Sequence, residues 1–262
     1  RLPTGPRLPT GLERARAARG ECMLGLPEWL KGNVGLVFGT LFAMPAHRRI
    51  TGAGERAVGY TTPQEAYTQA MTQLEAYYRL ADRHAQFALV QTQKELENVL
   101  ATWKDSDRQQ TDARQQTRQQ TDAPPDKRQI GLVILMEGAD PILRPQDVER
   151  WYERGLRMVG LSWLAGTRYA GGNASGGPLT DDGIQLLRVM SEFNLVLDVS
   201  HLSDQACIQA LDRYDGPCIA SHSNPRRLVP GHRQLSDEMI KSLLARDGVI
   251  GIAPINSMLR EG

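Results

Sequence analysis

The chain is poor in cysteine, in net charge and in long apolar runs, and each shortage excludes a class of protein. Three cysteines, Cys22, Cys207 and Cys218, are too few and too scattered for a disulfide framework or a cysteine-rich zinc site. That usage points to a reducing compartment, and a cytoplasmic location is the expectation. Thirty-one basic residues face 30 acidic ones, a net charge of +1, so no nucleic-acid partner is expected. The longest apolar run, Val34 to Met44, has eleven residues and is too short for a membrane segment. The first twenty residues hold five arginines and one glutamate without an apolar stretch, unlike a secretory signal. Histidine is scarce as well. Any histidine-based metal site must draw on His47, His84, His201, His222 and His232. The sequence also lacks a P-loop, a G-x-S-x-G elbow, a Ser-His-Asp pattern and a G-x-G-x-x-G after its first strand.

What is present is mostly alternation. Two stretches stand apart: Arg1 to Gly11 is a tandem copy of RLPTG, and Arg108 to Ala123 reads RQQTDA-RQQT-RQQTDA. Neither has apolar residues to bury, so residues 1–21 are read as an atypical N-terminal segment and 108–126 as a low-complexity loop insertion. Residues 22–262 form the remaining domain. Apolar strands at Val34–Phe42, Ile130–Met136, Arg157–Trp163, Leu195–Ser200, Pro217–Ser221 and Gly248–Pro254 alternate with helices. The helices fall at about 61–83, at Gln93–Trp103, Pro145–Arg154, Asp181–Phe193, Asp204–Tyr214 and Ser236–Ala245, and Phe87–Val90 adds a short strand. Such a pattern gives a parallel sheet covered on both faces. Later strand ends recur about every 29 residues, close to the repeat of a (β/α)8 TIM barrel, and the 262-residue length suits that fold.

In such a barrel the chemistry sits at the C-terminal ends of the strands. Three of these ends carry ligand-type side chains: Glu137 in LMEGAD, His201 in LDVSHLSD and His222 in CIASHSNPRR. Adjacent strands lie about 4.8 Å apart, so histidines ending neighbouring strands reach one ion. A lone histidine after a strand is more often a loop hydrogen-bonder. Two of five ending consecutive strands, with a glutamate ending a third, favour a zinc-type site of imidazole and carboxylate. Asp198 either orients a ligand or serves structure. His47 and His84 are read as surface residues. Arg233 is placed to clamp a substrate carboxylate, Arg226 and Arg227 are read as surface ion-pair residues, and the rim loop with Arg168, Tyr169 and Gly171 to Gly177 is suited to close over a ligand.

Seven motifs in order, LMEGADPI, VGLSW with GTRYAGG, PLTDDG, LDVSHLSD, ASHSNPRRL, HRQLSD and DGVIGI, resemble the membrane (renal) dipeptidase family of metallopeptidases, bacterial members above all. The resemblance covers roughly 22–262, with 108–123 as an interruption. It implies an amidohydrolase-like barrel that cleaves dipeptides with metal-activated water at two zinc ions bridged by a glutamate. Glu137 then corresponds to the bridging carboxylate, and His201 and His222 to histidine ligands of the second zinc. Arg233 matches the arginine that holds the substrate carboxylate. Trp163 stands where many members have a substrate-binding histidine, and Arg168 and Tyr169 join the substrate-binding set.

The family's first strand ends in His-x-Asp, and this sequence contains no His-x-Asp. Its expected place is upstream of Cys22. The aspartate after the family's eighth strand is also lacking, so the chain is read as strands two to seven of an incomplete barrel. The expectation is one tightly held zinc at most and weak or no activity. The competing reading is an inactive barrel fragment serving as a binding or structural module, with a homodimer as one way to cover its open sheet edges. A third reading, an amidohydrolase acting on lactones or phosphoesters, calls for a bridging lysine where Glu137 stands.

Overall fold

A computed structural model describes residues 25–46, 59–116 and 127–259. The RLPTG repeat, Cys22, His47 and the end of the glutamine-rich repeat lie outside those residues.

The apolar runs form a seven-stranded sheet, mostly curled into a half-barrel. Its main path runs β1 (Leu36–Phe42), β3 (Ile130–Glu137), β4 (Leu156–Gly160), β7 (Val196–Asp198), β8 (Cys218–Ala220) and β9 (Val249–Ile250). The short β2 (Phe87–Leu89) pairs with the start of β3, and every pairing in this sheet is parallel. Along the main path each strand lies beside the one before it, the winding expected of a barrel wall. β3 is buried along most of its length, which is why its sequence is a continuous apolar run instead of an alternating one.

The helices pack their apolar stripes on the outside of this wall. Helix α1 (Leu26–Lys31) precedes β1. Helix α2 (Pro63–Arg83) buries Ala66, Ala70 and Leu74 on one face, and starts with a capping box between Thr62 and Glu65. Ser or Thr side chains also cap α5 (Asp181–Glu192), α6 (Asp204–Arg213) and α7 (Asp237–Leu244), through Thr180, Ser203 and Ser236. Each such cap contributes about 1 kcal/mol and fixes where a loop ends and a helix begins. Helix α4 (Val148–Glu153) buries Trp151 and is entered through a 3-10 turn at Pro145–Asp147. A last short helix, α8, spans Asn256–Leu259. The core joins Leu41, Ile134, Met136, Leu156, Val159 and Leu197 of the strands to Leu74, Trp151, Leu186, Met190, Cys207 and Leu243 of the helices.

Two differences from the sequence expectation stand out. Helix α3 spans Gln93–Gln116, so it does not stop at Trp103 but carries on into the first half of the RQQTDA repeat. Glutamine, arginine and alanine are good helix formers, and a helix already nucleated propagates through them. The glycine-rich rim loop also holds a small antiparallel hairpin, β5 (Ala170–Gly172) and β6 (Gly176–Leu179). The first two residues of β6, Gly176 and Gly177, have φ 69° and 96°, values a side chain would resist. Among the described residues no helix is long and apolar enough to cross a membrane.

Candidate metal centre

Glu137, Gly160, Asp198 and Ile219 lie in one register row at the C-terminal ends of β3, β4, β7 and β8. Gly160 offers no side chain, so Glu137 reaches past β4 toward the loops that follow β7 and β8. Gly138 then turns the chain off the strand at φ 84°. His201 sits three residues beyond β7 in a left-handed backbone, φ 68°, and the Asn173 N–H donates to its carbonyl at 2.9 Å. His222 follows β8 directly after Ser221, with its own N–H donating to Ser200 Oγ at 3.2 Å.

These three side chains converge. His201 Nε2 lies 2.9 Å and His222 Nε2 3.3 Å from Glu137 Oε1. The two Nε2 atoms are 3.0 Å apart. Among the described residues this is the one group of three such side chains able to share an ion. Ligand bonds of about 2.0–2.1 Å in tetrahedral directions place donor atoms about 3.3 Å apart, so the spacing suits one small divalent ion. Two imidazoles and a carboxylate also form a donor set of borderline softness, of the kind zinc accepts. The residues present therefore fit such an ion.

Burial works against the Glu137 carboxylate, yet hydrogen bonds and charge from His201 and His222 outweigh it and hold the pKa at about 2. Burial pushes the His201 imidazole down, and the nearby Arg233 adds to this, which favours the neutral ring a metal requires. Arg233 is itself largely buried, and burial lowers its guanidinium from the usual value. It donates to Ser223 Oγ at 2.9 Å and to the His222 carbonyl at 2.7 Å, while Nη2 lies 3.2 Å from His201 Nε2. Trp163 stands between Phe42 and His201, with ring centroids 4.9 and 6.2 Å away, and walls the site on that side.

A model of the membrane dipeptidase family, peptidase family M19, matches residues 12–262. The chain belongs to that family. This membrane dipeptidase family chain is 32% identical over 135 residues to an uncharacterized protein in the PQQ-III 3′ region of Acinetobacter calcoaceticus, covering 48% of the chain and 43% of that protein. It is 31% identical over 122 residues to dipeptidase tcpJ of Claviceps purpurea, covering 45% and 29%. The matches thus span less than half the length of these curated relatives. Among solved structures, a metallo peptidase from Rhodobacter sphaeroides, liganded with a phosphinate mimic of the dipeptide L-Ala-D-Ala, superposes with a TM-score of 0.74 at 20% identity. That superposition covers 95% of this chain and 71% of the other. The probable dipeptidase PvdM from Pseudomonas aeruginosa gives 0.73 at 20% identity, covering 93% and 56%. These two likenesses speak to the fold.

Of the residues singled out from sequence, Glu137, His201, His222, Arg233 and Trp163 come together at this rim. Arg168 and Tyr169 do not join them. Arg168 gives its guanidinium to the carbonyls of Asp140, Ile142 and Leu143, and Tyr169, fully buried, donates to Ile142 O at 2.5 Å. Arg226 pairs with Asp204, and Arg227 approaches Asp237 at the surface. His84 is exposed, as is His232. Sequence reasoning passed over Asn173, Ser221 and Ser223, which contact the two histidines or Arg233. One signal was available: both candidate ligand histidines are preceded by serine, Ser200-His201 and Ser221-His222.

Proposed function

We propose that the chain is a zinc-dependent dipeptidase chain, hydrolysing the peptide bond of dipeptides at the rim of the half-barrel. The observation that carries this is the convergence of Glu137 Oε1 with two imidazole Nε2 atoms, 2.9–3.3 Å from one another, beside a guanidinium. The chemistry a zinc ion would supply there is Lewis-acid polarisation of the scissile carbonyl and a bound water with a pKa lowered toward about 7. Glu137, His201 and His222 would hold the ion, and the lowered Glu137 pKa keeps its carboxylate ionised in the neutral range. Arg233 orients the substrate carboxylate by charge-assisted hydrogen bonds. Trp163 and Phe42 supply an apolar wall that keeps water from one side of the substrate. The ligand of the Rhodobacter relative makes L-Ala-D-Ala the first dipeptide to try.

Because the described residues supply one ligand group, we further propose one tightly held zinc per chain and slow turnover. Metal analysis after dialysis, with an L-Ala-D-Ala hydrolysis assay, tests both parts. One zinc per chain is expected, lost in H222A. Two tightly held zinc ions would refute the stoichiometry, and none would refute the site. Zinc bound without any turnover would favour the second reading, a binding module that has kept the metal site.

A further inference from the structure

Arg233 reaches the candidate site from a loop, residues 225–234, that lies between β8 and α7 and belongs to neither. We propose that Asn224 and Gln234 are positioning residues for that arginine. Their buried amides tie both ends of its loop to the segment after β9, Ala253 to Met258, and so hold the guanidinium where a substrate carboxylate meets it. The inference rests on the reading of Arg233 as the carboxylate clamp given above.

The loop leaves and returns at one point. The Leu235 N–H donates to Asn224 O at 2.9 Å and the Arg226 N–H to Leu235 O at 2.8 Å, which closes the stem. Two amide side chains lie inside it, Asn224 at 5% exposure and Gln234 at 3%. Gln234 Oε1 accepts the Asn224 N–H at 3.1 Å, and Gln234 Nε2 donates to Met258 O at 3.0 Å. Asn224 Oδ1 accepts the Ala253 N–H at 3.0 Å, while Nδ2 donates to Ala253 O at 3.0 Å and Met258 O at 2.9 Å. An N–H can face only the oxygen of an amide and a carbonyl only its nitrogen, so these partners fix which way both side chains point. The strand pairing of β8 with β9 ends at Ala220 and Ile250, and the Asn224 amide extends the contact to Ala253 in place of a backbone.

The main-chain stem alone would close the loop. The two amides add something else, a link from the loop to a segment on the far side of β9, and a buried amide stays in place only while its groups are paired. Ser223 and Arg233 are the chain neighbours of Asn224 and Gln234, and they bond to one another, Arg233 Nη1 donating to Ser223 Oγ at 2.9 Å. With the bond from Nη2 to the His222 carbonyl at 2.7 Å, this sets the plane of the guanidinium. A forked contact with a carboxylate depends on that plane, so a shift of Gln234 is passed to the clamp beside it.

The test compares two ligands of the zinc-loaded chain by calorimetry: the phosphinate mimic of L-Ala-D-Ala, and the same mimic with its carboxylate converted to a carboxamide. Their affinity ratio reads the clamp, because a change at the zinc or a loss of folded chain weakens both alike. The unaltered chain should prefer the acid at least about tenfold, the contribution of a hydrogen bond to a charged group. Q234M fills the volume without either bond, and N224D sets an oxygen against two carbonyls; both should cut the preference to about twofold or less. Q234E keeps the acceptor for the Asn224 N–H and should lie between. A second measurement needs no metal. Phenylglyoxal should modify Arg233 several-fold faster in Q234M, while Arg246, held by the Tyr214 and Gly216 carbonyls, keeps its rate. An undiminished acid preference in folded Q234M would overturn the inference and leave Arg233 as the clamp, and equal acceleration at Arg233 and Arg246 would overturn it too. If N224D does not fold, Q234M decides. If the unaltered chain binds acid and amide alike, or neither, the clamp reading itself fails and takes this inference with it.

Discussion

Replacing Arg226 by methionine asks how the loop that carries Arg233 is held. The Arg226 guanidinium forms two 2.6 Å bonds to the carboxylate of Asp204, in the first turn of α6. It also donates to the carbonyls of Gly231 at 3.1 Å and Gln234 at 2.8 and 3.2 Å, so one side chain ties the loop to itself and to a helix. The partners are 25% and 40% exposed, so solvent screens the pair and about 1 kcal/mol is a fair share for it. The carbonyl bonds, from a charged donor, add about 1 kcal/mol each at two acceptors. Loss of about 3 kcal/mol of local stability is a drop of about 100-fold in hydrogen-exchange protection. Leu235 N–H, which bonds Asn224 O, and Arg226 N–H, which bonds Leu235 O, are the amides to follow. R226M should lose that protection while β3 keeps its own, and R226K should lose about a third as much, because lysine cannot reproduce the fork. The pH arm has a fixed sign. The hydrogen bond from Arg226 leads the causes that lower the Asp204 pKa. Its contribution is therefore full above the unfolded value of about 3.9 and is lost as pH falls toward the lower folded value. Unchanged protection in R226M, or equal loss in the loop and in β3, would refute the stapling argument.

Two further outcomes follow from burial. Trp151 is 2% exposed and packs edge-on against Tyr67 at 5.4 Å, so W151A should lose about 3–5 kcal/mol in urea unfolding. A loss below about 1 kcal/mol would mean that this cluster is not part of the stabilising core. Burial pushes the Cys207 thiol up to about 12 and raises Cys218 as well. Both should resist thiol reagents in the native chain and react after denaturation, read by peptide mapping, and rapid native labelling of Cys207 would contradict the packing.

The strand path was legible because buried parallel strands leave continuous apolar runs, and the helices because Thr62, Thr180, Ser203 and Ser236 announce their starts. Glu137, His201 and His222 were legible for a related reason. Chemistry placed at strand ends appears in sequence as a polar residue closing an apolar run. Arg168 and Tyr169 show the limit of that logic. Composition put them on a rim loop, but only the fold shows that the carbonyls of residues 140–143 absorb their polar groups. Arg226 was read as an ion-pair residue, and it is one; its grip on Gly231 and Gln234 depends on a loop conformation that no local pattern encodes. The extension of α3 to Gln116 escaped notice because the RQQTDA repeat carries no large apolar residues and so leaves no periodicity to read.

The backbone of His201 restricts what this position can become. With φ at 68°, a replacement must tolerate the left-handed region as well as reach the candidate metal site, and after glycine the residues that take up that region most readily are asparagine and aspartate. Both offer oxygen. A β-branched residue is strongly disfavoured by that backbone. On the proposed metal-site reading, the replacements this backbone tolerates bring oxygen donors, which favour harder cations. On that reading, the bend of one residue sets the direction in which metal preference can change.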